Sequence, residues 1–293
     1  MGTTTTVLVT GATGNIGSGL IPELQAAGVS VRALVRDAAK AAALQAQGVG
    51  TVLGDLDRPE TLDAALAGVD KVFLLTWNGP TAPQQARNII GAAQRAGRPH
   101  IVRIAAHGTD GSRIVRDHLV VEEELKASGL PWTMLRPTFF MQNLMMAAPS
   151  VASDGMMYLP FKTGRVGMID VRDIVDVAAR VLTTDGHAGQ TYILTGPQAV
   201  SLQEVAGALS AALGKPVTYV DIPREAAKQF MMGMGMPEWI ADGYAELFEG
   251  FANNFASRVS PDVARVTGRP GRGIAQFARD FAPVFGRSPV GVK

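Results

Sequence analysis

Residues 7–17 read VLVTGATGNIG, an apolar, β-branched run that breaks into Gly11, Gly14 and Gly17. Ile16, Leu20 and Leu24 then recur at helical spacing. A short strand that turns at once into a helix through a loop with few side chains leaves little choice of fold at this point. Such a loop lets a pyrophosphate approach the backbone where β-carbons would otherwise stand. The helix N-terminus behind it offers unpaired N–H groups and a partial positive charge of about half a unit. Alone, the glycine triplet reads equally well as a tight strand-to-helix turn. At the head of a βαβ series it points to dinucleotide binding by Gly11, Thr13, Gly14, Asn15, Ile16 and Gly17. Its spacing is G-x-x-G-x-x-G, distinct from the commoner G-x-G-x-x-G.

The series does continue. Apolar runs at 5–10, 30–35, 50–53, 71–76, 101–105 and 132–136 alternate with helical patterns at 16–27, 38–47, 59–66, 81–96 and 112–127. Runs of unbroken apolar residues between helices are strands buried on both faces. The fold class is therefore α/β, a doubly wound parallel, Rossmann-type sheet with a smaller, mostly helical C-terminal substrate region. The dinucleotide-binding region is expected over 1–140 and a mixed region over 141–293. Within the latter, about 165–200 should return to the main sheet (helix 171–183, strand 191–194) and the rest should form a small substrate-binding subdomain.

Composition narrows the function. A net charge of +1, from 27 basic and 26 acidic residues, speaks against nucleic acid or an anionic membrane surface as the main partner. No long apolar run suggests a membrane span, and the start MGTTTTVLV lacks the positive n-region of a signal peptide. The chain has no cysteine, which removes disulfides and thiolate chemistry and fits a cytoplasmic location. The four histidines, at 100, 107, 118 and 187, lack metal-binding spacing, so no metal is expected.

The phrase TGATGNIG resembles the short-chain dehydrogenase/reductase superfamily in its atypical, extended-like branch. The pair Gly54–Asp55, the phrases ASGLPWTMLRPTFFMQN and IDVRDI, and VTGRPGRGIAQFARD near the end are similar to the NmrA-like group, which includes bacterial quinone and triphenylmethane reductases. The resemblance implies that Asp55 and Leu56 border the adenine and that Thr76 and Trp77 flank the cofactor. The second strand ends at Val35 with Arg36 next, where a carboxylate would favour NAD and a cation the 2′-phosphate of NADP. NADP(H) is the expected cofactor. NAD(H) stands second, because the neighbouring Asp37 could serve a ribose.

Most active members of the superfamily carry Tyr-x-x-x-Lys on the helix after the fifth strand. Tyrosines here stand at 158, 192, 219 and 244, none with lysine four residues on. The corresponding helix instead offers His118 and Glu122, one turn apart on one face. His118 is a candidate proton donor or else a structural residue paired with Glu122. His107, just past the fifth strand, is a lesser candidate. Quinones, enones, iminium ions and cationic dyes accept hydride without a strong general acid, and need positioning in an apolar, aromatic-lined pocket. Phe139, Phe140, Met141 and Trp239 are the residues expected to line it, with methionine-rich MMGMGMPEW nearby. Asp170 and Asp173 read as caps of the helix that follows. Two functions remain: an NADPH-dependent reductase of a small, flat electrophile, or a catalytically silent redox sensor of the NmrA type that acts on a protein partner. A homodimer is compatible with either.

Overall fold

In the computed structural model, residues 4–108 and 111–286 are described; the initial Met1–Thr3 and the end of the C-terminal region, 287–293, lie outside them. The first elements are β1 (Thr6–Val9), α1 (Asn15–Ala26), β2 (Ser30–Val35), α2 (Ala38–Gln45), β3 (Gly50–Leu53), α3 (Leu62–Leu66) and β4 (Lys71–Leu74). They are followed by α4 (Ala82–Arg95), β5 (His100–Ile104), α5 (Arg113–Ala127) and β6 (Trp132–Pro137). Next come α6 (Ala148–Ser153), β7 (Met156–Leu159), β8 (Arg165–Val166), α7 (Val171–Thr183) and β9 (Gln190–Leu194). The last are β10 (Val200–Ser201), α8 (Leu202–Leu213), β11 (Thr218–Asp221), α9 (Arg224–Gly233), α10 (Glu238–Ala252), α11 (Asp262–Thr267) and α12 (Ile274–Phe285).

Seven strands form one sheet in the order β3-β2-β1-β4-β5-β6-β9. The neighbours from β3 through β6 are parallel, with Val7 opposite Val31 on one side and Lys71 on the other. The chain order reverses between β1 and β4, and open α/β sheets hold ligands beyond the strand C-termini at such a point. Val7, Leu8 and Val9 are wholly buried, as a central strand covered on both faces must be. On α1, Leu20 and Leu24 are equally buried while most of the helix's other face is exposed, which gives the stripe that docks it.

The chain divides into two compact units: Met1–Ala106 with Asp117–Arg136 and Ile174–Tyr192, and His107–Arg116 with Pro137–Asp173 and Ile193–Lys293. The first is built on the sheet, with a core that includes Leu8, Leu62, Leu66, Leu74, Ile89 and Met134. The second carries two small sheets, β10 with β8 and β11 with β7, around an aromatic core. In that core Phe161 lies 5.4 Å from Phe139, 5.3 Å from Phe248 and 5.4 Å from Phe251, ring centre to ring centre. Offset and edge-on pairs at such spacing add about 0.5–1.5 kcal/mol each beyond area burial. The second unit also fixes the glycines near the chain's end. Asp173 Oδ2 accepts from the Arg272 N–H at 2.7 Å, its Oδ1 takes the Arg272 guanidinium, and a β-carbon on Gly271 would stand 3.0 Å from that carboxylate. Asp170 caps α7 by accepting from the Arg172 N–H at 2.9 Å, so of the two aspartates only this one acts as the expected cap.

At the N-terminal edge of the main sheet, His100 Nε2 meets Thr133 Oγ1 at 2.9 Å, and that hydroxyl donates to the His187 carbonyl at 2.6 Å. His187 in turn contacts Tyr192 Oη at 2.8 Å and Thr184 Oγ1 at 2.9 Å. Burial, and then the charge of Lys71, pushes His100 down to about 4, and the same two causes lower His187. The unfolded chain binds these protons first, so the native state loses stability as pH falls from about 6.5 to about 4 and is fully favoured above that window. His100→Asn keeps a hydrogen-bonding side chain but cannot titrate. Denaturant melts at both ends of the window should show the wild type's loss reduced by about 1–2 kcal/mol in the variant, after screening of the half-buried ring. An unchanged loss would remove His100 from the account.

Candidate active site

The loop between β1 and α1 is shaped by backbone contacts that only glycine permits. Gly11 has φ +63°, and a β-carbon there would stand 3.0 Å from the Leu75 side chain. A β-carbon on Gly17 would lie 2.3 Å from the Gly11 carbonyl oxygen, which no side chain survives. No side chain caps α1 at Gly14, and the first helical bond runs from the Ser18 N–H to the Gly14 carbonyl. The N–H groups of Asn15, Ile16 and Gly17 therefore precede the helical ladder. Gly11, Thr13, Gly14 and Asn15 are exposed, whereas Ile16 and Gly17 are buried and hold the turn in place. An exposed, uncapped N-terminus with bare backbone fits a pyrophosphate.

Thr10 is the residue that sequence reasoning passed over. Its hydroxyl accepts from the Leu75 N–H at 2.8 Å and donates to the Leu75 carbonyl at 2.9 Å, tying the end of β1 to the exit of β4. A hydroxyl one place past a buried strand was the signal. Thr76 beyond it is buried, and Trp77 is 78% exposed.

At the end of β2, Arg36 is exposed and forms no ion pair among the described residues. Asp37 is already engaged: its carboxylate accepts from the Lys40 N–H at 2.7 Å as the N-cap of α2, and Lys40 Nζ lies 3.7 Å away. The capping aspartate is thus tied to its helix. Asp55 follows β3; its Oδ1 accepts from the Asp57 N–H at 3.0 Å, and its own N–H donates to Thr61 Oγ1 at 3.0 Å. Leu56 is half-buried against the core, its carbonyl accepting from Asn88 Nδ2 at 2.8 Å. Arg36, Asp55 and Leu56 thus lie on the β2/β3 side of the glycine loop, and Trp77 on the β4 side.

On α5, His118 and Glu122 do not pair with each other. His118 Nδ1 lies 3.0 Å from Arg103 Nη2 of β5. Arginine only donates, so Nδ1 accepts and the neutral ring carries its proton on Nε2. Burial, then the charge of Arg103, holds His118 well below the usual histidine range. Glu122 is fully buried and bound by Arg136 of β6, through Nε at 2.9 and 3.1 Å and through Nη2. The expected His118–Glu122 pair is lost because two strand arginines reach the helix first, and a buried arginine must find an acceptor. A charge inside the apolar runs HIVRI and WTMLRP was the visible sign. Arg103 remains short of partners: its Nε and Nη1 are buried without hydrogen bonds, and burial lowers its pKa to about 10.

In the second unit, Phe139 is 6% exposed and Met141 2% exposed, both within the core. Phe140 and Trp239 are half-buried, and the Arg113 guanidinium lies 6.0 Å from the Trp239 ring centre. Of the methionine-rich stretch, Met231 is buried and Met234 is exposed. His107, also half-buried, stands 5.5 Å from the Phe255 ring. Among the described residues no group of acidic or histidine side chains gathers as metal ligands, and no helix is long and apolar enough to cross a membrane.

A doubly wound sheet whose first turn is an uncapped glycine cradle defines a dinucleotide-binding Rossmann protein. The profile of the NmrA-like family matches residues 3–267, and the chain belongs to that family. It is 47% identical over 283 residues to an NAD(P)H azoreductase of Xenophilus azovorans, covering 96% of this chain and 99% of the relative. The crystal structure of an NADPH-dependent quinone oxidoreductase from Escherichia coli, complexed with NADPH, matches with a TM-score of 0.86 at 29% identity, covering 94% and 99% of the two chains. The triphenylmethane reductase of Citrobacter sp., complexed with NADP(H), matches with a TM-score of 0.84, also at 29% identity and with the same coverage.

Gly17→Ala tests the cradle. The 2.3 Å approach to the Gly11 carbonyl forces the loop to move. NADPH binding measured by calorimetry should weaken at least about tenfold, roughly 1.4 kcal/mol. Unaltered affinity would mean that the dinucleotide does not use this turn.

Proposed function

We propose that this protein is an NADPH-dependent reductase that delivers hydride to a small, flat electrophile: a quinone, an enone, an iminium ion, a cationic dye or an azo compound. The observation that carries the reading is the state of α5. Where a phenol and an ammonium would poise a proton, this chain has a neutral, buried His118 and a Glu122 bound to Arg136. Neither group is poised to drive protonation of an ordinary ketone in the transition state. Electrophiles that accept hydride before a proton escape that need, and the azoreductase, quinone oxidoreductase and triphenylmethane reductase relatives support such acceptors.

The residues divide the work. Gly11, Gly14 and Gly17 let the backbone close on a pyrophosphate, and the N–H groups of Asn15, Ile16 and Gly17 donate to it. Arg36 takes the 2′-phosphate, with Asp37 withheld by its helix cap. Thr10 holds the exit of β4 in register with the loop. Bound NADPH would supply hydride from its nicotinamide and leave as NADP+; a neutral acceptor, reduced by two electrons, then takes a proton from water, whereas a cationic one is neutralised by the hydride itself.

The first experiment follows NADPH absorbance in the near ultraviolet with naphthoquinone, enone, azo and triphenylmethane acceptors, with NADH in parallel. Saturable, acceptor-dependent oxidation is expected. Silence across the panel with tight NADPH binding would favour the alternative, a redox sensor that binds dinucleotide without turning it over. Arg36→Ala should weaken NADPH by roughly 1.5–3 kcal/mol, the range for a hydrogen bond to a charged group, and leave NADH little changed. Equal losses for both cofactors would displace Arg36 from the 2′-phosphate.

A further inference from the structure

Trp77 is the most exposed large hydrophobic side chain among the described residues, with 78% of its surface open. The other two tryptophans are dressed by cations: Lys126 Nζ lies 5.8 Å from the Trp132 ring and the Arg113 guanidinium 6.0 Å from Trp239. Trp77 has no comparable aromatic or cation contact among the described residues. Leaving an indole in water forgoes the burial that such a side chain normally contributes. The strand exit that leads to it, by contrast, is firmly placed. Two residues earlier, Leu75 is bound through both backbone groups to Thr10, and its side chain abuts Gly11.

Sheet order says which end of the cofactor Trp77 serves. Arg36 follows β2, the glycine loop follows β1, and Trp77 follows β4, with β2, β1 and β4 adjacent in that order. A dinucleotide with its 2′-phosphate at Arg36 and its pyrophosphate at the loop extends its nicotinamide end toward β4. The loop and strand exits there offer backbone, glycines and the small Thr10 and Thr76. An aromatic face is what they lack, apart from Trp77. A flat acceptor carries few hydrogen-bonding groups and must be held by its face. Of the four side chains expected to do this, Phe139 and Met141 are committed to the core of the second unit, and Phe140 and Trp239 are half-buried where Trp77 is open.

We infer that Trp77 is the stacking platform for the acceptor ring, a specificity residue that binds substrate in preference to cofactor. The inference rests on the reductase reading above. It predicts selectivity for planar, conjugated acceptors over compact, non-planar ones of equal reduction potential.

Menadione, a naphthoquinone, is the probe. Trp77→Ala should raise its KM roughly tenfold, as loss of an aromatic stack implies, while the calorimetric Kd for NADPH stays within about twofold. Trp77→Phe keeps an aromatic face and should restore KM to within about threefold of wild type. A second readout needs no turnover. With NADP+ bound, which holds no hydride to give, menadione should quench the protein's tryptophan fluorescence saturably, and Trp77→Phe should abolish most of that quenching. If NADPH affinity falls as far as KM rises, or NADP+ alone produces the whole quench, the ring belongs to the cofactor and the inference is wrong. Brisk turnover with KM and quenching untouched in Trp77→Ala overturns it too. Absent turnover with intact, Trp77-dependent quenching would sink the reductase reading and leave the platform standing, whereas loss of both signals sinks both.

Discussion

One hydroxyl aligns the working edge of the first unit. Thr10, at the end of β1, is hydrogen-bonded to both the amide and the carbonyl of Leu75 across the point where strand order reverses. A parallel sheet opens at such a point, because the chains leaving β1 and β4 turn to opposite faces. The clamp keeps the two exits level. With Leu75 fixed, Gly11 can adopt its left-handed turn against that side chain, Gly17 can press on the Gly11 carbonyl, and α1 begins where a phosphate would meet it. The cradle is accordingly a product of strand pairing as much as of its glycines.

Much of the architecture was legible because the signals were periodic. Apolar runs with helices between them announced β1 to β6, and the return of a strand at β9 was visible as a late β-branched run. The glycine loop was legible for a different reason: its tightest contact, Gly17 on the Gly11 carbonyl, joins residues only six apart in sequence. Arg103 and Arg136 were not, since their partners lie on another element, 15 and 14 residues downstream or upstream. Helical spacing correctly placed His118 and Glu122 on one face, but spacing does not say what the sheet presents to that face. The same limit applies to Phe139: an aromatic residue just beyond a strand reads alike whether it meets solvent, ligand or three other phenyl rings.

The two units solve burial differently. The sheet unit relies on aliphatic side chains layered against helices, a packing that leaves strand ends open for ligands. The second unit has short strands and a cluster of phenylalanines and methionines, and ties residues 172–173 to its C-terminal segment with carboxylate–arginine contacts, Asp173–Arg272 and Arg172–Asp280. Rings that interlock at close spacing define a core with few strands to organise it.

The four charged and polar groups behind α5 also bear on the history of the chain. A single replacement of Glu122 by lysine would bury a third cation beside Arg103 and Arg136 and remove the buried carboxylate that acts on both. A single replacement of His118 by tyrosine would swap the acceptor of Arg103 for a bulkier group on a guanidinium already short of two partners. A tyrosine–lysine pair at these two positions would therefore conflict with the arginines that β5 and β6 present to the helix. Removing either member of the Glu122–Arg136 pair alone strands a charge at the sheet–helix seam, so these two positions can only change as a couple, and the seam holds its present chemistry against one-residue drift.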